Sequence, residues 1–419
     1  MRGMPTLGGS VLARSQVVHG DTDEVVTNLV SRTDADKVFM QQLPAYEEQQ
    51  LECRMKRSLG ARLQTLWTHT LVDPNDLPFD PAQATPMVFS QFRKSVEAAD
   101  VWNVPEPLRA YTRLPPLPVG VDVSPSSVGD AFAAGGVDVA KGASGPFVGG
   151  ETAALDRLKK WMWDEDRLKE YKDTRNGMLG MDYSSKFSPW LAQGCLSARR
   201  VYHDVQGASH PCVAKSRVVR HVGVARHLGL RITLSCSPQP RASYAEYERV
   251  RVANQSTYWL VFELLWRDYF NFLMQRVKSE LFFLEGPRNV TDKAWSRSLP
   301  DFFKWANGET GYPLVDACMR ELAATGFMSN RGRQIVASFL TKDMGIDWRF
   351  GAEWFERHLL DHVSSAGPCI PSCRPHHLLP TSSCRPHPRS ARNGRNLMGG
   401  PREFRGPMHG IVFVIPRLV

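Results

Sequence analysis

Residues 310–340 read TGYPLVDACMRELAATGFMSNRGRQIVASFL, and they place a polar cluster between two apolar segments with helical spacing. The cluster holds the amide of Asn330 and the guanidinium groups of Arg331 and Arg333. The pattern predicts two helices that approach each other at these residues, where side chains are usually buried. Because burying an arginine without a partner is very unfavourable, we expect both arginines to meet carboxylates, a phosphate or a bound polar cofactor.

The composition is typical of a soluble globular protein with two or three domains. The chain has 419 residues, of which 42% are hydrophobic and 23% are charged. It contains no run of about 18 apolar residues, which argues against a membrane span. Residues 1–16 lack the apolar core of a secretory signal, but with arginines and no acidic residue they are compatible with an organelle transit peptide. The compartment is therefore left open between chloroplast or mitochondrion, nucleus and the rest of the cell interior.

The net charge of +9 is unevenly distributed along the chain. Residues 207–243 carry six Lys or Arg and no acidic residue, and residues 363–419 carry eight Arg and one Glu. The rest of the chain is consequently acidic, so the basicity does not identify a nucleic-acid-binding core. The same two segments contain five of the eight cysteines. Only three cysteines lie in the rest of the chain, which is typical of a reduced, intracellular protein.

The first part of the chain, residues 1–110, predicts part of an α/β layer structure. Short apolar, strand-like runs alternate here with segments of helical periodicity such as DTDEVVTNLVSR. The strand-like runs are residues 11–12, 37–40 and 65–71.

The remainder predicts a linker followed by a helical domain. Residues 111–150 are rich in Pro, Gly and Ser, as linkers are, and helical periodicity fills residues 151–362. Two segments, 207–243 and 363–419, lack this periodicity. We interpret the first as an insertion into the helical domain and the second as an atypical, disordered tail.

The tail offers an alternative, because its cysteines and histidines could bind zinc. Their spacing matches no regular zinc knuckle and no hydrophobic frame surrounds them, so a tail without a metal site is favoured. The candidate ligands are Cys369, Cys373, His376, His377, Cys384 and His387.

Residues 171–197, YKDTRNGMLGMDYSSKFSPWLAQGCLS, contain a candidate anion-binding loop. Three serines and Lys186 lead into a helix that is expected to begin at Pro189. Hydroxyl and backbone N–H groups in front of a helix suit a phosphate or diphosphate. The alternative is simply a helix capped by serine, which the spacing alone favours.

The string ELLWRDYF places Glu263, Trp266 and Arg267 within about one helical turn. A carboxylate, an indole and a guanidinium could therefore project near one cavity, where the indole stacks on a flipped base and the acid binds its edge. The alternative is an internal Glu–Arg pair beside a tryptophan of the core, which the string alone favours.

Longer strings, taken in order, resemble the photolyase/cryptochrome family, and most of all its cryptochrome DASH branch. The resemblance runs from FVGGETAALDRLKKW to HLLDH, leaving out residues 207–243, and LVDPNDLPFDPAQATPMVFSQFRKSVEA extends it toward the N-terminus. It implies a partial N-terminal α/β antenna domain followed by an all-helical FAD-binding domain. The strings that carry it are YKDTRNGMLGMDYSSKFSPWL, ANQSTYWLVFELLWRDYF, TGYPLVDACMRELAATGFMSNRGRQIVASFL and DWRFGAEWFE.

The resemblance implies a set of FAD contacts. Asn330 and Arg333 would face the flavin ring, Arg333 would pair with Asp361, and a positive charge there favours reduced, anionic flavin. The loop would bind the phosphates and ribose. The implied FAD-binding residues are Tyr171, Ser184, Ser185, Lys186, Phe187, Ser188, Asn330, Arg333 and Asp361.

The resemblance also implies light-driven repair of DNA. Glu263 would hydrogen-bond a cyclobutane pyrimidine dimer and Trp266 would stack on it, while an electron from excited reduced flavin splits the dimer. Trp348 and Trp305 would be the middle and outer members of a tryptophan chain that photoreduces the flavin. The implied DNA-binding residues are Arg175, Glu263, Trp266, Arg267 and Asn330.

The predicted function is therefore FAD-dependent, blue-light-driven repair of pyrimidine dimers in single-stranded DNA by a monomer. The rival interpretation is a flavin photoreceptor that repairs nothing. A third interpretation is an incomplete product that does not hold flavin, because the family's first strand and helix are missing and the sequence after HLLDH departs from the family pattern. In the family, that segment would carry flavin contacts and the tryptophan nearest the flavin.

A second cofactor, the folate antenna methenyltetrahydrofolate, loses part of its implied site in this chain. Gln41, Gln42 and Leu43 stand where the family has a His-x-Glu run near the folate.

Overall fold

The computed structural model describes residues 20–99, 104–105, 146–206, 253–291, 293–364 and 412–415. The predicted strand at residues 11–12, the insertion 207–243 and all the candidate zinc ligands of the tail lie outside these ranges.

Helices dominate the described chain, and a small sheet accompanies them. The strands are β1 (Lys37–Gln41), β2 (Leu63–Leu66) and β3 (Val412–Ile415). The helices are α1 (Thr22–Thr33), α2 (Tyr46–Leu59), α3 (Pro81–Ala84), α4 (Phe89–Ala98), α5 (Glu151–Leu158), α6 (Tyr171–Thr174), α7 (Ser188–Ala192), α8 (Ala198–Gln206), α9 (Gln255–Val277), α10 (Leu299–Asn307), α11 (Pro313–Thr325), α12 (Asn330–Ser338) and α13 (Trp348–His358). Within the described ranges, no helix is both long enough and apolar enough to cross a membrane.

The N-terminal layer is the predicted α/β structure. Strand β1 pairs in parallel with β2, and helix α2 connects them. Side chains of β1 alternate, so Val38 and Met40 are buried against Val30 of α1 and Met55 of α2. This packing forms a separate small core beneath the strands.

Strand β3 corrects the expectation of a tail without structure. It pairs antiparallel with the free edge of β1, with Phe413 opposite Phe39. Its sequence, VFVI, is β-branched and aromatic, which is a composition that favours strands. The sheet order is therefore β2–β1–β3.

Helix α9 is the longest helix within the described ranges and is buried along much of its length. The Asn254 side chain accepts hydrogen bonds from the backbone N–H groups of Ser256 and Thr257, and the Thr257 hydroxyl accepts one from the Asn254 backbone N–H. This reciprocal capping fixes the start of α9 through its own first turn.

The N-terminal layer is joined to α9 by residues 69–72, which follow β2. The buried Asp268 carboxylate accepts the backbone N–H groups of Leu71 at 3.0 Å and Val72 at 2.9 Å. His69 Nε2 lies 2.9 Å from Asn271 Oδ1. Because the backbone turns here to meet α9, the strand ends at Leu66 and not, as predicted, at residue 71.

An apolar cluster covers the same junction. Its members include Phe89, Phe92 and Val96 of α4 together with Leu265, Tyr269 and Phe272 of α9. The two parts of the chain thus share one core, which holds the N-terminal layer against the helices that carry the candidate site.

Candidate functional site

The polar joint between α11 and α12 is built around Arg333, which is 7% exposed. Its Nη2 donates to both oxygens of Asp361, at 3.0 and 2.9 Å, and its Nε donates to the Met328 carbonyl at 2.9 Å. The pairing of Arg333 with Asp361, which the resemblance implied, is present. Ser188 Oγ also donates to Asp361 Oδ2, at 2.6 Å, so the carboxylate links α7 to α12.

Arg331 corrects the expectation that both arginines are buried. It is exposed, and it donates to Gln334 at 3.0 Å and to Asn176 at 2.9 Å. Residues two apart on a helix point about 200° apart, so only one of the two arginines faces the joint. Asn330 is also exposed, so its amide is accessible to a ligand.

The candidate anion loop, residues 181–188, is held by Arg157. This buried guanidinium donates to the carbonyls of Met181 (2.7 Å), Ser184 (3.1 Å) and Ser185 (3.1 Å). Arg157 thus holds the loop in place through its carbonyl groups. Sequence reasoning missed Arg157, although an arginine within the apolar face of α5 is a signal that could have found it.

Lys186 is a buried cation within this loop. It is 4% exposed and has a positive φ of 58°, and its ammonium donates to the Tyr183 hydroxyl and lies 4.3 Å from the Phe327 ring centroid. Burial lowers its pKa to about 8, against the opposing effect of Glu321. Among the described residues it forms no ion pair.

This donor set fits an anionic cofactor such as FAD. Three serines, the buried Lys186 ammonium and the Arg333 guanidinium, which Asp361 holds in place, stand within one loop-and-helix region. Helix α7 begins at Ser188 with Pro189 in its first turn, close to the predicted start. Phe187 is buried, and its ring centroid lies 5.7 Å from that of Trp161. This packing keeps the loop in place. No cluster of metal-ligand side chains exists in the part of the chain that the structure describes.

Tyr171 connects the loop to a second group of residues. It is buried, and its hydroxyl meets the side chains of Ser184 and Ser185. Burial raises the pKa of Tyr171, and the Glu263 carboxylate adds to that effect. The hydroxyl therefore stays protonated and can donate.

Glu263 lies beside Tyr171 and pairs with Arg175 at 2.7 Å. Both side chains are partly exposed, at 30% and 23%. Burial raises the pKa of Glu263, and Arg175 opposes that shift. The internal Glu–Arg pair that the string suggested thus exists, but its partner is Arg175 and not Arg267.

Trp266 and Arg267 contact different neighbours from Glu263. The Trp266 ring stacks on Phe89, with centroids 3.6 Å apart and planes at 12°, so one of its faces is covered. Arg267 donates to the His69 carbonyl, and burial lowers its pKa. The prediction that Arg267 projects toward the same cavity as Glu263 is wrong, because the guanidinium is taken up in the junction with residues 69–72.

The two tryptophans of the implied electron-transfer chain differ in burial. Trp348 is half-buried and donates to the Leu284 carbonyl at 3.1 Å. Trp305 is 0% exposed and donates to the Val336 carbonyl at 2.9 Å. An outer member must reach solvent, so the placement of Trp305 as the outer tryptophan is wrong.

Trp295 meets this requirement better, and sequence reasoning missed it. It is half-buried, with the Lys293 ammonium 4.0 Å from its ring centroid. The neighbouring Ser296 carbonyl accepts the N–H of Asp347 at 2.9 Å, so Trp295 lies on the segment beside Trp348. The available signal was its setting in the polar string KAWSRS.

Residues 41–43, where the folate motif departs from the family pattern, are half-buried. Next to them lies an open depression of about 220 Å³, lined by Pro44, Tyr46, Gln49, Gln50, Lys278 and Ser279.

Two family models match the chain. The model described as the FAD binding domain of DNA photolyase matches residues 259–367, and the model described as DNA photolyase matches residues 13–112. The first covers α9 to α13 and the second covers the N-terminal layer. The predicted architecture, an α/β photolyase domain followed by a helical FAD-binding domain, is confirmed.

Curated relatives are similar to most of this chain. Cryptochrome DASH, chloroplastic/mitochondrial, of Arabidopsis thaliana is 42% identical over 363 residues, which are 85% of this chain and 55% of the relative. Cryptochrome DASH of Xenopus laevis is 40% identical over 359 residues, covering 85% of this chain and 60% of the relative. The chain thus spans less than two thirds of the length of these relatives.

Solved structures show the same likeness. The Synechocystis sp. PCC6803 cryptochrome superposes with a TM-score of 0.67 at 37% identity, covering 84% of this chain and 65% of that one. A class III photolyase from Agrobacterium tumefaciens gives a TM-score of 0.54 at 24% identity, which is a likeness of fold alone. It covers 84% of this chain and 64% of that one.

Proposed function

This chain belongs to the photolyase/cryptochrome family, and we propose that it binds FAD and uses blue light to split cyclobutane pyrimidine dimers in single-stranded DNA. The observation that carries the proposal is the position of Glu263. This carboxylate lies at a partly exposed place beside Tyr171, whose hydroxyl in turn meets the serines of the anion loop. A group that can read a base edge thus adjoins the residues that suit the cofactor.

In this proposal FAD is held by the loop and by the joint around Arg333. Ser184, Ser185 and the Lys186 region would take its phosphates and ribose, while Asn330 and Arg333 would face its ring. FAD supplies the light-excited electron donor when it is bound. Asp361 holds Arg333 in place through two hydrogen bonds, so the positive charge keeps a fixed position.

Glu263 acts on the dimer through hydrogen bonding. Its two carboxylate oxygens can accept hydrogen bonds from a pyrimidine N–H, and glutamine would replace one of these acceptors by a donor. Trp266 would contact the dimer through the part of its ring that Phe89 leaves open. Arg175, 23% exposed, would bind a phosphate of the strand.

The structure offers a single-chain site, so we propose that the protein acts as a monomer. The residues assigned above come from α6, α7, α9 and α12 of one chain and from the loops beside them. The altered residues 41–43 favour action without a folate antenna. The plant relatives are named chloroplastic/mitochondrial, and we propose an organelle location for this chain as well.

Repair under blue light tests the function. A single-stranded oligonucleotide with one cyclobutane dimer is incubated with FAD-loaded protein and illuminated, and intact pyrimidines are measured. We expect light-dependent repair that falls at least tenfold in Glu263→Gln. The matched control is Glu353→Gln, which removes an exposed carboxylate of α13 that pairs with Arg357. Repair that survives unchanged in Glu263→Gln would contradict the assignment.

A flavin photoreceptor without repair activity is the second candidate. The coverage of Trp266 by Phe89 and the occupation of Glu263 by Arg175 favour it, because both reduce what the site offers to a base. Bound, photoreducible FAD together with no repair of the oligonucleotide would select this function.

A further inference from the structure

The Arg175–Glu263 contact joins two residues to which the proposed function assigns different ligands. Arg175 Nη1 donates to Glu263 Oε1 at 2.7 Å, between the end of α6 and the middle of α9. A guanidinium that binds a carboxylate at this distance cannot offer the same N–H to a phosphate. The residue assigned to the strand and the residue assigned to the base thus neutralise each other in the ligand-free molecule.

One buried donor of this pair lacks an acceptor. Arg175 Nε has no hydrogen-bond partner within the described ranges, although the atom is inaccessible to solvent. The Arg175 guanidinium lies 5.0 Å from the Trp259 ring centroid, and the Lys172 ammonium lies 5.5 Å from it. The guanidinium thus has unused donor capacity in an environment where a second anion would be favourable.

The pair is also weak enough to be exchanged. Both side chains are partly exposed, and such ion pairs stabilise a protein only modestly because solvent screens them. A phosphate offers Arg175 a bidentate partner with more acceptor oxygens than one carboxylate oxygen provides. Replacing Glu263 by a phosphate therefore costs little at Arg175.

The electrostatic environment of Glu263 changes when Arg175 moves to another partner. The groups that face it are Arg175 at the end of α6 and the Trp259 side chain, which both oppose the rise of its pKa, and the protonated Tyr171. Without the guanidinium, only the Trp259 hydrogen bond opposes the effect of burial on the half-buried carboxyl. It then suits a neutral hydrogen-bonding partner such as a pyrimidine edge.

We propose that Arg175 and Glu263 form an exchange contact, closed in the free protein and opened when a strand phosphate takes Arg175 while a damaged base takes Glu263. The inference rests on the proposed function for the identity of the ligands. The free energy lost when the contact opens is fully recovered only when a strand phosphate binds Arg175 and a damaged base binds Glu263. An undamaged strand supplies the phosphate alone, so the contact selects against it.

Binding of undamaged single-stranded DNA tests the exchange separately from repair. A fluorescent oligothymidylate is titrated in the dark with the wild type, Glu263→Gln, Arg175→Gln and the double variant. We expect Glu263→Gln to bind about two- to fivefold more tightly than the wild type, since Arg175 is then free for phosphate. Its salt dependence should steepen by about 0.7 in log K against log salt.

The other variants complete a double-mutant cycle. Arg175→Gln alone should bind undamaged strand no more tightly than the wild type, because it removes the phosphate ligand, and it should cancel the gain when combined with Glu263→Gln. Glu353→Gln, which removes an exposed carboxylate from α13, controls for the general effect of one fewer negative charge. Far-ultraviolet circular dichroism confirms that each variant is folded.

Equal or weaker binding by Glu263→Gln, with clear binding by the wild type, would overturn the exchange and leave the repair proposal standing. A gain that persists in the double variant would also overturn it, because the gain would not come from Arg175. Loss of all salt-dependent binding in wild type and variants alike would remove the exchange and the repair proposal together.

Discussion

Arg333 and Asp361 show how much a single buried pair contributes to this site. Their side chains are 8% and 2% exposed, and the Ser188 hydroxyl adds a third hydrogen bond to the carboxylate. We expect Asp361→Asn to lower the free energy of unfolding by about 3 kcal/mol, because it leaves a buried guanidinium without its counter-charge. Urea unfolding measures the loss.

The control for this prediction is Glu353→Gln, whose carboxylate pairs with Arg357 on the surface of α13. Removing an exposed pair at this spacing should cost about 0.5 kcal/mol or less. A similar small cost for Asp361→Asn would mean that Arg333 finds another acceptor.

Asp268 makes a second prediction, on the pH dependence of stability. Burial raises its pKa from the usual 3.8 to about 7, against the two backbone N–H groups, Arg267 and Arg199. The folded state therefore binds this proton more tightly than the unfolded state, so the group stabilises the fold at low pH. That contribution is lost as the pH rises toward and through 7.

The comparison with Asp268→Asn isolates this effect, because the amide does not titrate. The free energy of unfolding of the wild type minus that of the variant should increase by about 1 kcal/mol between pH 8 and pH 6. Urea unfolding at both pH values gives the difference. No change between the two pH values would mean that the hydrogen bonds and arginines outweigh burial and that Asp268 is ionised in the fold at both.

At this scale the sequence predicted residue types better than their directions. The pair of Arg333 with Asp361 follows from the motif, but the exposure of Arg331 follows from helix geometry that the motif does not state. Arg267 and Trp305 were misplaced because their neighbours, the His69 and Val336 carbonyls, are distant in sequence. Such contacts depend on tertiary packing, and no local spacing encodes them.

At the scale of elements, the start of α9 depends on Asn254. Its side chain accepts two backbone N–H groups, and its amide donates to the Lys169 carbonyl at 3.1 Å. We expect Asn254→Ala to lower the free energy of unfolding by about 1 kcal/mol, since both first-turn donors lose their acceptor.

The matched variant Asn254→Asp keeps the acceptor oxygen and should retain most of the stability. Thermal or urea unfolding of the two variants distinguishes capping from packing. If the two variants lost the same amount, the cap would not be what stabilises the first turn of α9.

Element boundaries show where periodicity fails as a guide. The predicted helix from residue 21 and the strand from residue 37 lie where they were expected. The predicted strand at 65–71 ends at Leu66, because the next residues bind side chains of α9. Strand β3 was not predicted because its four residues lie in the segment 363–419, which otherwise lacks periodicity.

At the scale of the whole molecule, the N-terminal layer and the helices share one apolar core around α4 and α9. This junction positions α9, whose Glu263 lies beside Tyr171 and, through it, near the loop that Arg157 holds. The architecture was predictable because long strings in the right order identify the family. The sequence did not predict which face of Trp266 is open, because Phe89 stacks on this ring from a distant part of the chain.

The claim on which the account depends is that this chain holds flavin. The direct measurement is the visible absorption spectrum of the purified protein, with the ratio of FAD to protein after heat release. We predict a flavin band and close to one FAD per chain, reduced in Asp361→Asn and unchanged in Glu353→Gln. Purified, folded protein that carries no flavin and takes up none from added FAD would contradict the account.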